Sequence, residues 1–388
     1  MNLLLQNSFW SLRLTLSVLY WTGFYIPKGN AANKSSYILP FFSFMFMDGT
    51  YVIAQFGDLC QVWGDVALMT GTSFLLFTNM SLGLKMFNLV WRKVEIGAMV
   101  AEADEELTAE DTSGGKEIIM RWNRESNVLY YCYCFLSFVT VAGWATSAEK
   151  GQLPMRAWYP YDTSKSPAYE LTYIHQAVAV SLGATVNVSL DYLVTSLMAQ
   201  CSCRLRLLAL RLRTLGEDFV VNDQMLFSAY HAQVLTERLH RCIQRHQSAL
   251  ETAARLQKAY SATILVQVTV SMVIICVTAY QLAFETQDLV RFVSMLAYFL
   301  CMTLQLFLYC YQGNQLSEES IQVAEAAYEM PWYSCTSSFR RDLLMLMTRS
   351  RRVSRITAAG FTTLSLSAFM AIIKASYTFF TVLRSVDS

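Results

Sequence analysis

Seven stretches of mainly apolar residues run through this chain, each long enough to cross a bilayer, which takes about 20 residues in a helix. They cover residues 37–57, 66–84, 128–148, 174–199, 261–284, 292–311 and 362–383. Backbone polar groups in hydrocarbon must be satisfied within the segment, so each stretch is expected to be an α-helix. The first is broken by Pro40 and Asp48 and the fourth by Asp191. An eighth apolar stretch, 14–26, is too short to span and lacks a small-residue cleavage site. It suits a helix at the membrane interface, anchored by Trp10, Tyr20, Trp21 and Tyr25. The fold class expected is therefore all-α: a seven-transmembrane helical membrane protein.

Charge decides orientation, because Lys and Arg favour the cytosolic loops. The segments at one face of the bundle, 1–36, 87–127, 200–260 and 312–361, hold three, five, nine and six of the 30. The opposite segments hold three in 149–173, one in 285–291 and Arg384 at the tail. This places the N-terminus in the cytosol and the C-terminus outside, the reverse of a G-protein-coupled receptor. Overall charge is +1, so nothing recommends nucleic acid as a partner. Of ten cysteines only Cys60 falls in a short outer loop, and no disulfide framework is implied. Cys201 and Cys203, just past a span, have the position of palmitoylation sites, although two inert thiols are the simpler reading. The sequons at Asn33, Asn79 and Asn187 fall in the cytosol or in spans, so no glycan is expected.

The organisation follows. Residues 1–36 form a cytosolic or interfacial segment, 37–199 carry helices one to four, and 261–311 carry helices five and six. The proline-free run 200–260 extends helices four and five below the bilayer. Within 312–361, Ser317 reads as an N-cap with Glu318 and Glu319 in the first turn and Pro331 as the stop. A further short helix covers 340–349, and these pieces suit a cytosolic helical bundle. Residues 362–388 form the last helix and a short outer tail. The acidic run 102–111, followed by Ser113, Gly114 and Gly115, is most simply a solvated linker.

No enzyme is expected. The four histidines form no His-Glu-x-x-His or other metal set, and Gly115-Lys116 lacks the Ser or Thr of a phosphate loop. No Gly-x-Ser-x-Gly elbow occurs, and nothing calls for a cofactor. The last span is more informative. Gly360, Thr363, Ser367, Ala371, Lys374, Thr378, Thr381 and Ser385 recur three or four residues apart, one narrow small-and-polar stripe. Leu366, Phe369, Ile372, Ile373, Phe379, Phe380 and Leu383 occupy the other side. Such a stripe faces protein or water. Close helix packing would explain it, and so would an aqueous pore, which requires several subunits. Lys374 tilts the balance toward water. In the third span Ser137, Thr140 and Trp144 share one face, which suits either helix packing or a pocket for a small apolar ligand. Asp48 and Asp191 are intramembrane acids or lie near an interface.

The C-terminal third resembles the insect odorant receptor family. The resemblance is carried by Ser-Glu-Glu-Ser at 317–320, Trp332-Tyr333, Arg-Arg-Asp-Leu-Leu at 340–344, Gly360-Phe361, and Ala375-Ser376-Tyr377 with the Leu-Arg-Ser tail at 383–385. In the outer loop, Trp-Tyr-Pro-Tyr-Asp at 158–162 is also similar to that family. The resemblance implies a tetramer whose last helices line a cation pore, and an anchor built from the cytosolic parts of helices four to seven. By tail alignment it puts the hydrophobic gate at Val382, with Ser385 just beyond and Thr378, Thr381 and Lys374 on the pore stripe. It implies a pocket for a small volatile ligand between helices two, three, four and six. Ser137, Thr140 and Trp144 match the third-helix spacing, while Met69, Thr72, Val180, Ala184, Met295 and Tyr298 are placed by depth alone. The tail is that of odour-tuned subunits, which implies a heterotetramer with the coreceptor in the plasma membrane of olfactory sensory neurons. Gustatory receptors share the fold and are the nearest alternative. A G-protein-coupled receptor would need the opposite orientation, and a transporter would show internal repeats that are absent here.

Overall fold

The computed structural model describes residues 10–24, 35–146, 153–163, 165–217, 229–285 and 288–387. Six of the seven apolar stretches are helical over the parts described, the seventh is helical from Leu366 on, and the chain is a multi-pass helical bundle. The helices are α1 (Trp10–Trp21), α2 (Ser35–Gln61), α3 (Val66–Trp91), α4 (Lys93–Thr108) and α5 (Ser113–Thr146). There follow α6 (Ala168–Arg213), α7 (Ala229–Tyr280), α8 (Leu289–Glu329), α9 (Ser337–Ser350) and α10 (Leu366–Asp387). A π-helical turn, Gln281–Glu285, continues α7.

Length and composition alone qualify α3, α5, α6, α7 and α8 as membrane-crossing. The second helix carries Pro40, Asp48 and Asp58, and the apolar part of α10 covers Leu366–Val382. Large apolar side chains point outward along the bundle, among them Phe42, Ile53, Phe87, Phe135, Phe138 and Leu171. A soluble chain would bury a belt of that size.

At 46 and 52 residues, α6 and α7 are about 70–80 Å long, more than twice the ~30 Å hydrocarbon core. Both therefore run on past the spans, as the proline-free stretch predicts. Their far ends, with α4, α8 and α9, form what we call the α9 end; the opposite one, carrying residues 153–163, is the loop end. The short α1 is tied to the bundle rather than free: Leu12, Leu16 and Leu19 are buried, and it packs on α5 and α6. Trp21 is exposed, whereas Tyr25 and Asn33 lie outside the described residues.

Three local expectations change, and the simpler reading of two cysteines is kept. Ser317 caps nothing: α8 runs unbroken through it, and its hydroxyl donates to the Gly313 carbonyl. Pro331 does end that helix. The run 102–111 is no solvated linker but the end of α4 and its cap. Glu102 accepts from Arg255 at 2.5 Å and Glu106 pairs with the buried Arg204 at 2.5 Å. Glu110 pairs with Arg211. Cys201 and Cys203 are buried, with their thiols pushed up by burial to about 11 and about 12, which removes them as lipidation sites. The last helix starts at Leu366 rather than at 362. Thr357 and Ala358 pair antiparallel with Thr363 and Thr362, and Gln257 and Ser261 take up the backbone of Thr357 and Ala359. The turn has Ala359 and Gly360 at φ 48° and 80°, the mirror-image geometry hairpins favour. Gly360 and Thr363 therefore leave the helical stripe.

Candidate functional site

Two features bear on function: a cavity among α3, α5, α6 and α8, and the outward face of α10. The cavity has a volume of about 50 Å³. Ser137, Thr140 and Trp144 on α5 line it, with Val180 and Ala184 on α6 and Tyr298 on α8. The other three depth placements lie elsewhere. Thr72 donates to Asp58 at 2.5 Å, the Met69 sulfur accepts from the Gly64 amide at 3.3 Å, and Met295 is buried one turn from the cavity.

Aromatic rings form one wall. Trp144 and Tyr298 line it and Phe74 packs behind them, with ring centroids 5.1–5.8 Å apart. The Tyr298 hydroxyl is held 2.6 Å from Thr78 Oγ1. Thr140 spends its hydroxyl on its own helix, donating to the Leu136 carbonyl at 2.8 Å. The cavity thus presents apolar and aromatic surface with a few hydroxyls, as a small-molecule site requires.

Its floor is ionic. Asp191 on α6, expected only as an acid somewhere in a span, is paired with Lys85 of α3 at 2.6 Å, and both side chains are buried. The carboxylate also accepts from Tyr133 at 2.9 Å, Tyr309 at 2.8 Å and Gln305. Lys85 donates a second hydrogen bond to Asn187 at 2.8 Å. Tyr133 and Asn187 face the cavity as well, so four helices meet beneath it in one network. A charge at this depth survives only if paired and fully hydrogen-bonded, which is what the surrounding donors provide.

The lid comes from the loop end. Gln176 clamps Met155, accepting from its amide at 3.3 Å and donating to its carbonyl at 3.1 Å. The Trp158 amide donates to the Ala54 carbonyl at 3.0 Å, and Arg156 lies 3.6 Å from Asp58.

On α10, Ala371, Lys374, Thr378 and Thr381 are exposed together. Phe369, Ile372 and Ile373 on the other side pack against the core, and Ser376 donates to the Met272 carbonyl of α7. The stripe is thus not used for packing within this chain. Val382 beside it is also exposed. The side chains of Leu383 and Ser385 lie outside the described residues. One helix joins the two features. Below its cavity residues, α8 carries Gln305 and Tyr309 to Asp191, and between them Phe307 meets Phe369 of α10 edge-on at 5.6 Å. One turn further on, a Cβ at Gly313 would collide with Leu364.

Among the described residues no group of His, Cys, Asp and Glu could hold a metal. Sequence reasoning missed Phe74, Thr78, Tyr133, Asn187 and the Lys85–Asp191 pair. The lysine and the aspartate were visible as intramembrane charges; their pairing was not.

The family model for the 7tm Odorant receptor matches residues 65–377. Odorant receptor 46a, isoform A, of Drosophila melanogaster is 25% identical over 66% of this chain and 65% of its own length. Odorant receptor Or1 of Anopheles gambiae is 24% identical over 67% and 68%, and Odorant receptor 94a of Drosophila melanogaster 24% over 81% and 80%. The insect olfactory receptor OR5 from Machilis hrabei, solved in complex with eugenol, superposes with a TM-score of 0.84 at 19% identity. That likeness covers 97% of this chain and 98% of OR5 and speaks to the fold.

Proposed function

Because this chain belongs to the 7tm odorant receptor family, and so is a receptor rather than an enzyme, we propose that it is the odour-tuned subunit of a ligand-gated, non-selective cation channel. The observation that supports this most is the exposed polar stripe of α10, which meets no helix of its own chain. A lone subunit has no use for Lys374, Thr378 and Thr381 in hydrocarbon, whereas four such helices around an axis would enclose water. The partner copies are the coreceptor, the loop end faces outward, and the α9 end is the cytosolic anchor.

In this reading a small volatile ligand sits in the cavity against Trp144 and Tyr298, with Ser137, Thr140 and Ala184 around it. It binds the open arrangement better than the closed one and so shifts the equilibrium. Displacement of α8 carries the change: its cavity residues move with the ligand, and Phe307 passes the motion to Phe369 on the pore helix. Val382 is the hydrophobic constriction, which closes by dewetting. Apolar contacts discriminate by only about 1–3 kcal/mol per methylene, so the ligand's identity follows from screening.

The test is whole-cell current during a volatile panel that begins with eugenol, the compound bound in OR5, with and without the coreceptor. A cation current that requires both chains supports the reading; equal currents without the coreceptor would sink the partnership. Val382→Ala is expected to raise the resting current or alter permeation. If it did neither, the gate lies elsewhere.

A further inference from the structure

The cavity is too small for what it is proposed to hold. An engineered cavity of about 150 Å³ is what admits benzene, and this one measures about 50 Å³. Some wall must give way when a ligand arrives. The loop end is shut by the Gln176–Met155 clamp, and the floor by the Lys85–Asp191 network. Towards α3 and α8 the wall is Trp144 and Tyr298, backed by Phe74.

The remaining side differs. Outside it, between α5 and α6, runs a groove of about 530 Å³. Its lining comes from those two helices alone, and Ser137, Val141, Ala184 and Val188 line groove and cavity alike. One layer of small side chains therefore separates the two. Serine and alanine present almost no bulk, and a valine clears a path by one rotation about χ1. The groove lies at mid-span, with the outward-pointing Phe138 in its lining and Phe135 and Leu182 beside it. At that depth the solvent outside is lipid, into which an apolar volatile partitions from water in proportion to its apolar area.

We infer that the ligand reaches its cavity sideways from the bilayer, through the α5–α6 groove, and that Ser137, Val141, Ala184 and Val188 are the door. This rests on the channel reading above, and its distinctive consequence is kinetic. An obstacle on a route slows binding and release equally and leaves affinity alone.

Ser181 and Ala142 line the groove but not the cavity. With the coreceptor present, Ser181→Phe and Ala142→Phe are expected to slow the onset and decay of ligand-evoked current together, by about tenfold, while half-maximal concentration stays within about twofold. Unchanged rates at normal surface expression would overturn the inference. Gln176→Ala, which releases the loop clamp, is expected to leave the rates alone; faster onset there would point to an aqueous route and overturn it as well. The unmodified channel supplies a measurement independent of how the variants fold. Across a homologous ligand series, onset rate per unit aqueous concentration should climb with bilayer partitioning, and a flat series contradicts lateral access. Absence of any ligand-evoked current would instead strike the channel reading itself.

Discussion

Between residues 190 and 205 every side chain of α6 is buried, whereas between 168 and 189 the same helix alternates between core, cavity and open groove. The buried half is fastened by charge. Arg204, fully enclosed, reaches Glu106 at 2.5 Å, Ser248 at 2.8 Å and Thr252 at 3.1 Å; just beyond that half Arg206 lies 3.6 Å from the buried Glu319, and at the exposed helix end Arg213 pairs with Glu329 at 2.6 Å. The other half is lined by Ala177, Val180, Ser181, Ala184 and Thr185, and meets its neighbours across a cavity and a groove. A volatile ligand makes few contacts and supplies little free energy, so it can rearrange only the loosely held half. The fastened half holds the subunit still, and Asp191 sits at the join.

The largest effect is therefore expected at that join. Asp191→Ala leaves Lys85 buried without its counter-ion, at a cost of about 3–5 kcal/mol, read as lost melting temperature of the solubilised receptor. Lys85→Met with Asp191→Leu is expected to regain most of it, because buried ion pairs are replaceable by packed apolar groups. A double variant as unstable as the single one would show that the pair is not what holds the join. Arg204→Ala comes next, at about 3 kcal/mol, without a change in ligand sensitivity among the channels that still assemble. If sensitivity moved as well, the two halves would not be separable.

A pH effect is expected at the α9 end. His246 is buried against Ser350 of α9, and burial together with Arg349 pushes its imidazole down to about 4. With the folded value below the unfolded one, the unfolded chain takes up the proton first. Stability is whole above the ordinary histidine value of about 6.5, falls as pH drops from there to about 4, and levels off below, for a loss of up to about 3 kcal/mol. His246→Gln should flatten that window in a thermal melt taken across it.

The smallest effect lies in the yielding half. Ala184→Leu fills the cavity and is expected to raise the half-maximal ligand concentration about tenfold, while melting shifts by less than about 1.5 kcal/mol. Strong destabilisation there would mean that the cavity half is as tightly specified as the rest.

What the sequence revealed divides along the same line. Hydropathy located every span, because burial in lipid is a property of the segment itself. It could not show that Glu102, Glu106 and Glu110 lock onto Arg255, Arg204 and Arg211, partners about 100 or more residues away. Nor could it tell that Ser317 sits inside a helix, since Leu316, Glu319 and Ser320 owe their burial to neighbouring elements. At the site, Ser137, Thr140 and Trp144 were legible from helical spacing. Depth alone reached Val180, Ala184 and Tyr298 but also picked Met69, Thr72 and Met295, because depth fixes height and not direction. The hairpin at 357–363 escaped for another reason: it carries no Asn-Gly or Asp-Gly turn signal, and Gln257 and Ser261, far away in sequence, take up its backbone.

In the proposed channel, pocket and pore belong to one assembly. The direct test is to reconstitute purified receptor and coreceptor in a planar bilayer with no other protein and record unitary currents as ligand is added. Cation-selective openings are expected whose frequency rises with ligand, with Ala184→Leu shifting the concentration needed but not the conductance. Silence in that bilayer, from a preparation whose ligand evokes current in intact cells, would mean that another protein carries the current, and would contradict the proposed channel.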